Sequence, residues 1–291
     1  MKIIDNISNA FTVDVEDYFQ VESLSSVVNR SEWDSHTCRV EKNTHTILAL
    51  LDESNQKGTF FVLGWIAQRY PGLVKEIASL GHEVASHGMS HKLIYKQTRA
   101  EFTQETIDSK ALLEDLIQTQ VNGYRAATYS ITKDSLWALD VLVETGFKYD
   151  SSIFPMKHDR YGIPAAHPLP GIITAPEGGE IIEFPISTIK NKLLTLPIAG
   201  GGYFRLYPYL ISKFGLKSIN NKNNPIMFYI HPWEIDSNQP VMKGLSRLSK
   251  FRHYNNLDKC EGRLRRLLAD FKFNTMQHVL DNIELSKTSY G

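Results

Sequence analysis

The strongest constraint on this chain is the way short apolar runs alternate with helix-periodic segments. Phe11–Val15, Thr59–Leu63 (TFFVL) and Glu83–Ser86 read as buried strands, as do Gly123–Ala126, Ile181–Phe184 and Ile226–Ile230. Between them, Thr44–Asp52 carries helical spacing at Ile47, Leu48, Leu50 and Leu51. Residues 71–80 open with Pro71 and stop before Gly81, and Ser135–Thr145 is closed by Gly146, which are helix start and stop signals. Glu101–Leu116 reads as a helix with Phe102, Ile107, Ala111 and Leu112 on its apolar side. Strand–helix alternation of this kind implies a mainly parallel sheet or barrel, an α/β fold. Residues 155–180, rich in Pro, Gly and His, read as a long excursion, and Gly200–Arg205 (GGGYFR) as a flexible element. Residues 257–271 read as a terminal amphipathic helix with a basic face. No repeat, low-complexity tract or linker divides the chain, so one domain is expected over residues 1–291.

Composition narrows the function classes. A chain of 291 residues, 42% hydrophobic and 22% charged, is ordinary for one α/β barrel and buries a large core without staples. Lys plus Arg equals Asp plus Glu, 32 each, so no net field draws nucleic acid or a membrane, although a local basic patch is compatible with that balance. The two cysteines, Cys38 and Cys260, lie in no CxxC or Cys/His cluster, which excludes a disulfide scaffold and a finger-type zinc site. The amino-terminal stretch has one early Lys and no apolar core of the kind a leader peptide carries. No apolar window reaches membrane-spanning length. These readings predict a cytoplasmic protein with no transmembrane segment.

Four clusters carry chemistry. Asp14, Glu16 and Asp17 in TVDVEDYF place three carboxylates within four residues at a strand end, an arrangement that a cation or a proton relieves. A plain alternative is a polar loop with Asp17 as a helix N-cap. His87 and His91 in SHGMSH fall on one face if the segment is helical or tightly turned, and neutral imidazoles ligate zinc and similar metals. About half of such pairs are incidental. His82, between Gly81 and Glu83, reads as structural. Arg125 in GYRAATYS can fix a carboxylate with two hydrogen bonds, or make a surface ion pair. His231 in FYIHPWE ends an apolar strand, where it can act as a general acid or be a buried histidine bonded to backbone.

In their order, TVDVED, SHGMSH, YRAATYS, YDSSIFP and YIH, these segments resemble the motifs of the NodB-type polysaccharide deacetylases, carbohydrate esterase family 4. The resemblance spans residues 11–231. It is closer still to deacetylases of bacterial exopolysaccharide gene clusters, through VDVEDYF, TFFVLGW, GGGYFR, HPWE and RHYNNL. It implies an irregular (β/α) barrel over about residues 8–235, with a C-terminal extension, about 236–291, packed on it. It implies a metal-dependent hydrolase that removes N-acetyl groups from an amino-sugar polysaccharide or its biosynthetic intermediate. The metal would be zinc, with cobalt or nickel as alternatives.

Carried over residue by residue, the resemblance makes Asp14 the base acting on metal-bound water and His87 and His91 metal ligands. The third ligand is Glu16 or Asp17, because Val15 stands where the family commonly has a second aspartate. Arg125 would orient Asp14, and the backbone N–H of Thr128 would face the developing oxyanion. Asp150 would hold His231, which protonates the leaving amine. Ile230, Trp233 and Tyr203 would shape the substrate pocket. Ala127 replaces the family's usual proline, which predicts a looser turn at Thr128. The partner implied is an N-acetylated sugar, not nucleic acid, met in the cytoplasm or at the inner face of the membrane. Two other readings are a hydrolase of a small cyclic amide, as in allantoinase-like relatives, and a silent carbohydrate-binding protein.

Overall fold

The computed structural model describes residues 7–190 and 195–290. The first six residues, part of the stretch read above for a leader, lie outside that range, as do residues 191–194 and 291. The apolar runs become strands β1 (Asn9–Val15), β2 (Thr59–Val62), β3 (Glu83–Ser86), β4 (Gly123–Tyr124) and β5 (Tyr149–Asp150). Helices α1 (Val40–Glu53), α2 (Gly64–Arg69), α3 (Pro71–Ser79), α4 (Arg99–Ile117) and α5 (Trp137–Glu144) connect them. Strands β6 (Gly171–Thr174) and β7 (Glu180–Glu183) form a hairpin inside and after the predicted excursion. A small antiparallel pair follows, β8 (Thr188–Lys190) and β9 (Thr195–Pro197). Then come α6 (Gly201–Leu206), α7 (Tyr209–Asn220), β10 (Met227–Ile230), α8 (Arg247–Tyr254), α9 (Leu257–Asp270), β11 (Phe273–Asn274) and α10 (Met276–Asp281).

The main sheet runs β10-β1-β2-β3-β4-β5-β7-β6, with β11 also paired to β1. Every pairing except β6 with β7 is parallel. This is the expected α/β fold, with a curled sheet whose end strands, β10 and β6, do not pair among the described residues. The strands are buried on both faces, as parallel sheets covered by helices are: all seven residues of β1 and all four of β2 and of β10 are buried.

Three expectations change. Helix α4 buries Phe102, Thr106, Ser109 and Leu113, while Ile107 stands 46% exposed, because small polar residues let the helix approach β3 closely. Ser109 exchanges a hydrogen bond with Ser86 there. The GGGYFR segment is ordered: Gly200, at φ +132°, would carry a Cβ 1.9 Å from the Tyr229 carbonyl oxygen, so only glycine lets the chain lie on β10 before α6 begins. Helix α9 is amphipathic but not terminal, since β11 and α10 follow it and return the chain to β1.

Candidate functional site

The parallel strands end together, and the polar groups singled out in the sequence gather at their carboxyl ends, where open α/β sheets and barrels place ligand sites. The ladder continues one residue past several strands: His87 N donates to Val62 O (3.0 Å), Arg125 N to Ser86 O (2.9 Å) and Ser151 N to Tyr124 O (2.9 Å). These bonds fix the residues that face the cleft. After β1 the chain makes a tight turn in which Glu16 N donates to Asp14 O (2.9 Å). That turn brings Glu16 back beside Asp14 and sends Asp17 elsewhere.

Asp17 caps the helical turn Tyr18–Gln20: it accepts from Tyr18 N (2.8 Å), Arg39 N (2.5 Å) and Val40 N (2.8 Å). Its oxygens are thereby used in tying β1 to α1, so of the two carboxylates left open by the sequence, Glu16 is the one that faces the histidines. Donor atoms of Glu16, His87 and His91 all lie within 4.8 Å of one another, and all three residues are buried. Segment 87–91 is a tight turn rather than a helix, with His91 at φ +55° and its carbonyl held by Arg30 (2.7 Å).

The chemistry of this donor set suits a divalent cation. His87 Nδ1 bonds the Arg125 carbonyl (2.8 Å), leaving Nε2 with its lone pair toward the cleft. Burial lowers the His87 pKa to about 4, so the ring is neutral at pH 7. Burial would raise the Glu16 pKa, but His91 and His231 outweigh it and carry it down to about 2. Glu16 Oε2 sits 2.6 Å from His91 Nε2 yet makes no aligned hydrogen bond, an orphaned buried carboxylate oxygen beside two imidazoles.

Asp14 is held from the other side. Arg125 is fully buried and donates to Asp14 Oδ1 (2.6 Å), Thr12 Oγ1 (2.8 Å), Ser151 O (3.2 Å) and Ser151 Oγ (2.9 Å), with its guanidinium 4.0 Å over the Phe61 ring. The surface-pair alternative for Arg125 is thus removed. Tyr129 Oη adds a contact to Asp14 Oδ2 at 3.4 Å, a partner not anticipated from the sequence. The turn carrying Ala127 is pinned without proline: Ala126 N donates to Ser152 Oγ (2.7 Å), and Tyr129 N to Ala126 O (3.0 Å). Thr128 within it has φ +55° and lines the cleft.

His231 stands at the end of β10 with Nε2 3.8 Å from Asp14 and 3.5 Å from Glu16. Its Nδ1 bonds Glu234 Oε1 at 2.6 Å, and Glu234 in turn accepts from Arg205 Nε at 3.0 Å. Asp150 does not hold His231. It bonds Ser152 Oγ (2.5 Å) and shares a buried pocket with Glu183, and burial pushes its pKa up to about 6. The signal for Glu234 was present in HPWE, where a 3₁₀ turn brings position i+3 back to the ring. Burial lowers the His231 pKa, but Glu16, Glu234 and Asp14 together raise it to about 9.

The cleft over these groups holds about 460 Å³. Tyr203 and Trp233 line it, and Trp233 is only 4% exposed, clamped between His231 and His253, with Nε1 3.3 Å from Glu16 Oε1. Ile230 is fully buried and does not line the cleft. Side chains alternate along β10, and its neighbours Tyr229 and His231 take the cleft side. A larger cleft, about 560 Å³, lies beside His82 at the start of β3, away from these groups. His82 Nδ1 accepts from Gly58 N (3.2 Å), a structural role.

Residues 32–149 match the family model described as polysaccharide deacetylase, and residues 151–281 match a domain of unknown function, DUF3473. A peptidoglycan-N-acetylglucosamine deacetylase of Bacillus cereus is 37% identical over 73 residues, covering 25% of this chain. The match spans only about a quarter of that relative, 26%. Among solved structures, a Mycobacterium smegmatis protein classed with the polysaccharide deacetylases superposes with TM-score 0.62 at 19% identity, over 97% of this chain and 92% of the other. The crystal structure of Puue allantoinase superposes with TM-score 0.60 at 13% identity, over 97% and 91%. At these identities the structural likenesses speak for the fold.

Proposed function

We propose that this chain, whose residues 32–149 match the polysaccharide deacetylase family model, is a metal-dependent hydrolase removing N-acetyl groups from an amino-sugar polysaccharide or its biosynthetic intermediate. The observation that carries the proposal is the convergence of Asp14, Glu16, His87, His91 and His231 on one cleft, with a buried Glu16 oxygen that lacks a hydrogen bond.

Glu16, His87 and His91 would hold the cation, zinc first and cobalt or nickel as alternatives. A bound divalent cation supplies Lewis acidity, polarising an amide carbonyl and making water easier to deprotonate. Asp14 takes the proton from the attacking water. Arg125 keeps Asp14 ionised and aimed, with Tyr129 at its second oxygen. The Thr128 N–H meets the charge that develops on the acetyl oxygen. His231 delivers a proton to the leaving nitrogen through Nε2, while Glu234 holds Nδ1–H and so fixes which nitrogen faces the substrate. The products are acetate and a free amine.

The relatives' named substrates, peptidoglycan N-acetylglucosamine units above all, favour an N-acetylated amino-sugar polymer, and the exopolysaccharide phrases of the sequence favour an envelope or capsule precursor. Residues 8–235 would form the catalytic unit, with 236–291 completing it through the contact of α9 with the Glu234 turn. Among the described residues no helix is long and apolar enough to cross a membrane. A cytoplasmic or inner-face location is part of this proposal.

The test is acetate release from N-acetylated glucosamine oligomers, run metal-replete and with chelator, beside allantoin as a cyclic-amide substrate. Chelator-sensitive acetate release is expected. Its absence under metal-replete conditions overturns the proposal, and turnover of allantoin instead assigns the cyclic-amide reaction.

A further inference from the structure

The balanced charge of the whole chain conceals a sharp local asymmetry. Between Phe184 and Leu257 the sequence holds ten Lys and Arg residues and two acids, Glu234 and Asp236. Both acids are buried and already paired, Glu234 with Arg205 and Asp236 with Arg39. Lys217, Lys222, Lys243, Arg247, Lys250 and Arg252 are exposed. The stretch therefore presents a surface with cations and no exposed carboxylate of its own.

Among the described residues, the same stretch also carries seven of the ten exposed large hydrophobic residues. Helix α7 buries Tyr209, Ser212 and Leu216 against the fold, yet turns Leu210, Ile211 and Phe214 outward at 59%, 48% and 67% exposure. A helix apolar on both faces has a second apolar environment to meet. Leu206, just before α7, and Leu248 and Phe251 of α8 continue the apolar surface around the mouth of the site cleft. None of α7's outward residues, Leu210, Ile211 and Phe214, lines the site cleft.

We propose that this face, built from α6, α7 and α8, docks on an anionic membrane surface. Protruding Phe and Leu side chains enter the headgroup layer while the surrounding Lys and Arg meet lipid phosphates, the pattern of interfacial attachment without a membrane span. Charge argues against a second copy as the occupant, because a two-fold contact sets the basic face against itself, and the acid at its edge, Asp270, is already paired with Lys213. Leu206, Leu248 and Phe251 belong both to this face and to the cleft rim, so docking brings the cleft mouth to the level of the headgroups.

The experiment is co-sedimentation of the full chain with vesicles of phosphatidylcholine alone and of phosphatidylcholine mixed with phosphatidylglycerol. Binding to the mixed vesicles, weakened by salt, is expected, with little on phosphatidylcholine alone. Leu210→Ser with Phe214→Ser, and separately Lys217→Glu with Lys250→Glu, are each expected to weaken that binding by about tenfold or more. All four positions are exposed and outside the cleft, and circular dichroism verifies folding of each pair. Absence of binding by the wild type, or wild-type binding by both pairs, overturns the proposal. So does a concentration-dependent dimer that Leu210→Ser with Phe214→Ser abolishes, if vesicles bind nothing. Vesicle binding is read without turnover, so its outcome is separate from that of the deacetylase assay.

Discussion

Replacing Glu234 by Gln removes one charge from the buried chain Arg205–Glu234–His231 and little volume. Arg205 still donates to the carbonyls of Arg252 (3.1 Å), His253 (2.9 Å) and Asn255 (2.8 Å), so the guanidinium stays hydrogen-bonded but loses its carboxylate. Removing one partner of a buried pair costs about 3–5 kcal/mol, and the retained carbonyls place this case near 3. For a domain of this size that lowers Tm by roughly 6–12 °C. A second consequence concerns pH. The His231 pKa is raised to about 9 against an ordinary 6.5. A raised pKa stabilises the fold fully below the ordinary value, and the stabilisation is lost as pH climbs through the raised one. Metal-free wild type should therefore soften between about pH 6.5 and about pH 9. Glu234→Gln removes the hydrogen bond and field of one of the anions responsible, so its softening ends at a lower pH and is smaller in total. Thermal melts of chelator-treated protein across that range measure both effects. An unchanged Tm, or identical pH dependence in wild type and variant, refutes the reasoning. In the proposed reaction the same substitution slows turnover by about a hundredfold or more, as expected for a mispositioned general acid.

The metal set is tested by pairing Glu16→Gln with Asp17→Ala. The first is expected to lose bound metal by elemental analysis. The second keeps it but loses about 2 kcal/mol or more of stability through three unpaired backbone N–H groups, and the reverse pattern assigns the site to Asp17. His87→Ala should likewise lower metal content, and unchanged stoichiometry removes His87 from the set. Asp14→Asn should retain metal while turnover falls by about a hundredfold or more; normal turnover ends its assignment as the base. Gly200→Ala, which sets a Cβ 1.9 Å from the Tyr229 carbonyl at φ +132°, should cost about 3 kcal/mol or more and show as a lowered Tm.

Much of this was legible in the chain. Strand and helix positions follow from side-chain periodicity, which is local, and the ends of β3 agree to the residue. Asp14, His87, His91, Arg125 and His231 stood out because each lies just at or beyond an apolar strand, and parallel strands deliver their carboxyl ends to one place. The errors also have a common origin. The buried side of α4 departs from its apolar pattern because Ser109 and Thr106 are small enough to pack closely, and periodicity counts polarity, not contact distance. Gly200–Arg205 looks flexible in the sequence because three glycines favour a loop until a neighbouring strand makes them a close-packing surface.

The residue types of the site, and their order, were set by the sequence alone. Their pairing was decided only in three dimensions. Whether Glu16 or Asp17 turns toward the histidines depends on one tight turn and on which backbone N–H groups of α1 stand within reach of Asp17. The choice of Glu234 over Asp150 beside His231, and of Tyr229 over Ile230 in the cleft wall, is likewise made by turn geometry and strand alternation. Each such choice turns on a shift of one residue or a few ångströms, and no local pattern encodes it, because the competing partners are separated by long stretches of chain and meet only when the sheet has set its register.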